Sequence, residues 1–306
     1  MEKKPDIYSR VTNKIIADLE QGNLTWRKPW NAEHLEGRIT RPLRHSGQPY
    51  RGINIILLWA ASVAEGYTAN LWMTYRQAQE LGGQVRKGSK GEQVVYADKI
   101  TKAEPGQADD DTGAVQGNGE RWFMKAYTVF NVEQVEGLPD HYYALPPAPP
   151  DIVGVDRIER LDAFVTGTGA SIVHGGARAC YVPRTDNVHM PCIDCFQDAE
   201  AYYATLAHEL THWTLHESRL DRRFDHKRFG DEGHAMEELV AELGAAFLAA
   251  DLGITPETRE DHAAYIASWL KALKGDKRAI FTAAAHAERA TKFLHDLQPQ
   301  TQEKAA

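Results

Sequence analysis

The chain has 306 residues, 42% of them hydrophobic and 25% charged, with a formal net charge of −8. This is the composition of a soluble globular protein, and no apolar run reaches the ~18 residues of a membrane span, so no membrane association is expected. Three cysteines, Cys180, Cys192 and Cys195, are too few for a disulfide framework, and no apolar leader is visible after Met1, so a cytoplasmic location is expected.

The charge is unevenly spread. Residues 1–135 carry 18 Lys and Arg against 16 Asp and Glu, and five of those acids fall in the segment 103–120, which has no base. The pattern predicts a basic N-terminal body with a flexible acidic insert, and an acidic remainder. A length of 306 residues accommodates two domains.

Along the chain, Ile7, Val11, Ile15, Ile16 and Leu19 recur at helical spacing over 7–21, and Gly22 is a natural stop. Trp26, Arg27, Lys28 and Trp30 then interleave aromatic and basic side chains around Pro29. Residues 53–63 are almost wholly apolar and predict a buried helix. A short strand over 71–75, a short helix over 76–81 and a basic glycine-rich turn over 85–91 follow. Strands are expected at 92–99 and 121–131, with 103–120 as the mobile tip between them. Five prolines between 137 and 151 mark a stiff extended linker, placed at 137–152. Beyond it the pattern gives a helix over 153–166, strands over 170–174, 179–183 and 188–191, and helices near 198–216, 234–251, 258–273 and 276–297. Pro191 makes the 186–191 segment an expected edge strand, able to align an extended peptide. The tail after 297 is expected to be disordered.

The chemistry concentrates at His208-Glu209-Leu210-Thr211-His212. Two histidines four apart on a helix share a face and can grip one cation, with Glu209 placed as general base for a bound water. A third ligand is needed. Glu238 and Glu242 stand at i, i+4 on the next helix, which suits Glu238 as ligand and Glu242 as the carboxylate that orients a ligand histidine. The expected ion is Zn2+, with Mn2+ or another divalent metal as an alternative. Tyr181, Tyr202, Tyr203, His216 and His234 are further polar candidates nearby. Pro191-Cys192-Ile193-Asp194-Cys195 resembles half of a deaminase zinc motif, but no His-x-Glu precedes it, so Cys192 and Cys195 read as incidental thiols.

In the N-terminal part, Trp26, Trp30, Tyr50, Trp72 and Tyr75 offer stacking faces. Arg27, Lys28, Arg41, Arg44, Arg51, Arg76, Arg86, Lys87 and Lys90 offer phosphate contacts. Aromatics mixed with bases suit single-stranded nucleic acid, whose unpaired bases expose their faces.

Several stretches together resemble a known family. Tyr8-Ser-Arg-Val-Thr, Trp26-Arg-Lys-Pro-Trp30, Tyr50-Arg-Gly-Ile-Asn54, Trp72-Met-Thr-Tyr-Arg76, Arg86-Lys-Gly-Ser-Lys-Gly91 and Tyr127-Thr-Val-Phe-Asn131 are similar to the N-terminal domain of ArdC-type antirestriction proteins. His208-Glu209-Leu-Thr-His212-Trp213, His216-Glu-Ser-Arg-Leu220 and Glu237-Glu-Leu-Val-Ala-Glu242 are similar to that family's zincin-like domain. The resemblance implies an α+β chain: a single-stranded-DNA-binding domain over 1–136, a Pro-rich linker over 137–152 and a mainly helical, gluzincin-like metallopeptidase domain with a short sheet over 153–297. It implies protection of incoming conjugative plasmid DNA from host restriction and passage into the recipient with that DNA. A component of the restriction system, or another protein, is the substrate a peptidase would act on. Two other readings stay open: a metallopeptidase whose N-terminal domain docks a protein partner, and a DNA-binding protein whose metal is structural. The acidic insert and Cys192/Cys195 depart from the family pattern.

Overall fold

The computed structural model describes residues 6–24, 26, 40–100, 115–117, 120–143, 155–224, 232–254 and 262–299. Helix α1 (Ile7–Glu20) begins at Asp6, whose carboxylate accepts from the Ser9 N–H at 3.0 Å, and it buries Val11, Ile15, Ile16 and Leu19 on one face. Strand β1 (Leu43–Arg44) leads to helix α2 (Ile53–Glu65), buried from Ile55 to Ser62. Gly66 ends α2 at φ 72°, a left-handed conformation that glycine adopts without steric cost. There follow β2 (Leu71–Thr74), α3 (Tyr75–Glu80), β3 (Gln84–Val85), β4 (Glu92–Ile100), β5 (Val115–Gly117), β6 (Glu120–Asn131) and β7 (Val135–Glu136). Thr74 and Gln77 form a reciprocal capping box at the start of α3.

The main sheet has the order β1-β2-β6-β4, with β5 also paired to β6. Strands β4 and β6 run antiparallel from Glu92↔Val129 to Ile100↔Arg121. The outer edge of β4 is closed by Asn54, which donates to Val95 O at 2.8 Å and accepts from the Val95 N–H at 2.7 Å. Within the acidic insert, residues 115–117 form β5, a strand too short for alternation to signal. The rest of the expected tip, 103–114 and 118–119, lies outside the described residues.

The second half contains α4 (Val155–Thr168), β8 (Ser171–His174), β9 (Cys180–Val182), β10 (Asn187–Met190), α5 (Ala199–Trp213), α6 (Glu232–Leu252), α7 (His262–Gly275) and α8 (Ala279–Asp296). Asp198 caps α5 by accepting from the Ala201 N–H at 2.8 Å. The three-stranded sheet has the order β8-β10-β9. The expectation of an edge strand at 186–191 is therefore corrected. Strand β10 is the middle strand, parallel to β8 and antiparallel to β9. Pro191 falls one residue past β10, where its missing N–H removes no ladder bond.

The architecture is α+β, a small N-terminal α+β unit followed by a mainly helical half with a short sheet. The largest core runs across the two. It joins Ile15, Trp26, Ile55, Trp59 and Val95 to Leu239, Leu243, Phe247, Trp269, Ile280 and Ala283. Trp26 meets Trp269 at a centroid distance of 6.3 Å, and Trp59 meets Phe247 at 6.0 Å. A second core packs α4, β10 and α5 around Leu206 and Leu210. The start of the proline-containing segment is packed too: Leu138 is buried, and the Tyr143 hydroxyl donates to Val135 O at 2.9 Å. Prolines 146, 147, 149 and 150 lie outside the described residues. The tail expected to be disordered after 297 is corrected at its start, where Gln298 Nε2 donates to Phe164 O at 3.1 Å and to Leu294 O at 2.9 Å; residues 300–306 lie outside the described residues.

Candidate metal centre

Helix α5 presents its histidines to helix α6. His208 is 3% exposed, and Glu209, Glu238 and Glu242 are 3%, 8% and 3% exposed. Burying this many ionisable groups is costly unless each is paired. His208 Nε2 lies 3.6 Å from Glu238 Oε2, and His212 Nε2 lies 3.5 Å from Glu238 Oε1. The two Nε2 atoms are 3.1 Å apart. One donor atom from each of His208, His212 and Glu238 falls within a 4.8 Å cluster, the one set of three metal-capable residues found among the described residues.

The outward nitrogens are held from behind. His212 Nδ1 is 3.0 Å from Glu237 Oε1, and His208 Nδ1 is 3.5 Å from Glu242 Oε1. A carboxylate can only accept, so Nδ1 of His212 carries a proton, and the inward Nε2 is the nitrogen that would give up its own proton to a cation. Glu237 is itself gripped by Arg222, whose Nε and Nη2 donate to its two oxygens at 2.7 Å each. The buried guanidinium also donates to Thr211 O at 2.9 Å and Thr214 Oγ1 at 3.0 Å. Arg222 thus ties the loop after α5 to both metal-bearing helices. Burial opposes ionisation of Glu237, but Arg222 and His212 outweigh it and hold its pKa below the ordinary 4.5. Burial likewise opposes charge on His212, but Glu237 and Glu238 raise its pKa to about 10. Burial disfavours the Glu238 carboxylate too, and His208 and His212 reverse the balance, lowering its pKa.

This donor set fits a divalent cation. Two nitrogens at ~2.0–2.1 Å from one tetrahedral zinc stand ~3.3 Å apart, close to the observed separation. Both imidazoles have their outer nitrogens facing carboxylates, which fixes the tautomer a metal needs.

Glu209 points to the sheet, where its Oε2 accepts from the Tyr181 N–H at 2.9 Å. Strand β9 is therefore the strand beside the candidate base, and it pairs only with β10 among the described residues. The Tyr181 hydroxyl donates to Asp186 Oδ1 at 2.9 Å, and Arg219 pairs with the same carboxylate while lying 3.8 Å over the Trp213 ring. These contacts hold Asp186 at φ 52° in the β9–β10 turn. Tyr202 contacts His174 at 2.8 Å, and the Tyr203 hydroxyl donates to Asp162 at 2.5 Å. His216 contacts Ser218 at 2.8 Å, and His234 Nε2 stands 3.8 Å from Glu238 Oε1. Cys180, Cys192 and Cys195 are free thiols on the surface.

The structure brings His208, His212 and Glu238 into one cluster and sets Glu242 behind His208, while Glu209 of the same helix faces Tyr181 of β9. Glu237 and Arg222 are additional members. Glu237 has the same residue type as its neighbour Glu238, and Arg222 sits in an aperiodic polar loop, so no spacing rule singles out either.

The N-terminal candidates divide sharply. Trp26 and Trp72 are 1% exposed and Tyr50 is 7% exposed, so these rings present no open face. Arg41 donates to Asp251 through Nε at 2.6 Å and Nη2 at 2.8 Å, and to Glu288 at 2.9 Å. It clamps the N-terminal unit to α6 and α8. Arg44, Arg51, Tyr75, Arg76, Arg86, Lys87 and Lys90 are exposed, with Arg76 paired to Glu80 at 2.8 Å. Arg27, Lys28 and Trp30 lie outside the described residues.

Residues 5–130 match the family described as the N-terminal domain of anti-restriction factor ArdC, and residues 159–286 match a zincin-like metallopeptidase family. The crystal structure of the antirestriction protein ArdC from plasmid R388, in its metal-free form, superposes with a TM-score of 0.77. It is 45% identical and covers 96% of this chain and 98% of its own. The chain belongs to the ArdC antirestriction family. The Mn(II)-bound structure of the same R388 protein matches with a TM-score of 0.77 and 43% identity, covering 97% of this chain and all of its own. Among sequences, protein y4eC of Sinorhizobium fredii is 46% identical over 298 residues, covering 97% of this chain and 94% of its own length. The DNA primase TraC of Escherichia coli is 38% identical over 321 residues, but the chain spans only 29% of TraC. In this ArdC family member, no helix among the described residues is long and apolar enough to cross a membrane.

Proposed function

We propose that this ArdC-family protein binds single-stranded DNA through its N-terminal unit and protects incoming conjugative plasmid DNA from host restriction. The end-to-end likeness to an antirestriction protein is the observation that carries this reading. The exposed basic turn at Arg86, Lys87 and Lys90 supports it, because clustered cations attract the phosphate backbone. The match to part of a DNA primase agrees with a DNA partner.

The second half is proposed as a zinc-dependent peptidase centre, with His208, His212 and Glu238 as ligands and Zn2+ or Mn2+ as the ion. When bound, such an ion lowers the pKa of a coordinated water and polarises a carbonyl. Glu209 is proposed as the base that takes the proton; its carboxylate accepts from the Tyr181 N–H. Glu242 and Glu237 hold the two imidazoles. Strand β9 pairs with β10 alone among the described residues, and its other edge is proposed to align an extended peptide once Glu209 releases the Tyr181 N–H; a restriction component is the protein substrate that fits the biological reading.

The test is conjugation of an unmodified plasmid into restricting and non-restricting recipients. Wild type is expected to protect. Glu209→Ala is expected to keep its metal, whereas His208→Ala and Glu238→Ala are expected to lose it by elemental analysis. Full protection by Glu209→Ala would assign the effect to DNA shielding, and loss would assign it to hydrolysis. Absence of protection by wild type would overturn the proposal.

A further inference from the structure

Among the described residues, seven large hydrophobic side chains are strongly exposed, and one pair of them is in ring contact: Tyr96, 48% exposed, and Tyr127, 45% exposed. Their ring centroids are 6.4 Å apart at an interplanar angle of 73°. The register places both on one face of the β4–β6 ladder, since Val94 opposes Tyr127 and Tyr96 opposes Lys125. Residues 125–128 of β6 are all exposed, whereas Val94 and Val95 opposite Tyr127 and Ala126 are buried in the main core. Lys125 brings a cation to the same face, directly across from Tyr96. The strand that carries Tyr96 emerges from the basic turn, with Lys90 six residues earlier, ~20 Å along an extended strand.

From this arrangement we infer that Tyr96 and Tyr127 form a base-stacking platform for single-stranded DNA, whose backbone runs from Lys125 toward the Arg86–Lys90 turn. The inference rests on the proposed DNA-binding reading and supplies the aromatic contacts that the buried Trp26, Tyr50 and Trp72 do not. Stacking uses the π-face that every base has, so the platform is indifferent to sequence. Two rings that stay wet without a nucleic acid partner, beside a cation, suit a ligand that is both aromatic and anionic.

The test uses the full-length chain and fluorescent oligothymidylate, with affinity measured by anisotropy over a range of salt concentrations. Tyr96→Ala/Tyr127→Ala is expected to weaken binding ~100-fold, at ~10-fold per stacked base, with the salt slope unchanged because a phenol neutralises no phosphate. Tyr96→Phe/Tyr127→Phe keeps the faces and is expected to bind like wild type. Lys87→Glu/Lys90→Glu is expected to reduce the salt slope. Wild-type affinity in the double alanine variant, with wild type itself binding, would overturn the platform alone. A shift from dimer to monomer in that variant with unchanged DNA affinity would overturn it in favour of self-association. No binding by wild type would overturn the DNA reading and the platform together.

Discussion

Replacing Arg222 by alanine isolates the chain Arg222–Glu237–His212. The Arg222 side chain is fully buried and that of Glu237 is 10% exposed. The substitution leaves a buried carboxylate without its cation, which costs ~3–5 kcal/mol. It also takes the donated hydrogen bond from Thr211 O and from Thr214 Oγ1, each worth ~1 kcal/mol. A loss of ~5–7 kcal/mol in urea unfolding of the metal-free protein is expected. Glu237→Ala added to Arg222→Ala removes the orphaned charge, so the double variant is expected to lose at least ~2 kcal/mol less than the sum of the singles. Through Glu237 the same residue fixes the His212 ring, so Zn2+ affinity in chelator competition is expected to fall ~10–100-fold. Arg222→Lys cannot present two parallel donors and is expected to recover stability only in part. Strict additivity of the singles, or unchanged Zn2+ affinity in a folded Arg222→Ala protein, would refute the chain.

Gly244 lies where α6 crosses α5, and a Cβ there would stand 2.5 Å from Thr211 Cγ2. Gly244→Ala is therefore expected to cost ~1–3 kcal/mol in thermal unfolding and to lower metal affinity, because it pushes Glu238 and Glu242 off the histidines. Arg41→Ala is expected to destabilise the chain by ~2–3 kcal/mol by leaving Asp251 and Glu288 without their shared cation, while the salt slope of DNA binding stays unchanged. Burial lowers the His286 pKa from 6.5 to about 4, with Arg289 and Arg222 adding to the effect. The unfolded chain then binds a proton that the folded one refuses, so stability falls as pH drops from 6.5 towards 4. Solvent screening of the partly exposed ring roughly halves the effect to ~1 kcal/mol by pH 5, and His286→Gln should remove it in urea midpoints at pH 7 and 5.

The sequence by itself determined what depends on local periodicity. The i, i+4 rule placed His208 beside His212 and Glu238 beside Glu242, because a helix fixes which residues share a face whatever surrounds it. The same logic located the helices and the long β4–β6 pair within a few residues. Tertiary structure decided which faces meet. The sequence offers Trp26 and Trp72 as aromatic faces and Arg41 as a cation, but only the shared core turns the two tryptophans inward and sets Arg41 against Asp251 and Glu288. A loop arginine carries no period, so Arg222 joins the metal centre only when the chain after α5 folds back to Glu237. Likewise β10 became the central strand through contacts with segments before it, while the local signal from Pro191 described an edge. A helix is written in near neighbours, whereas a buried charge pair, a sheet order and a wet tyrosine face are set by partners far away along the chain.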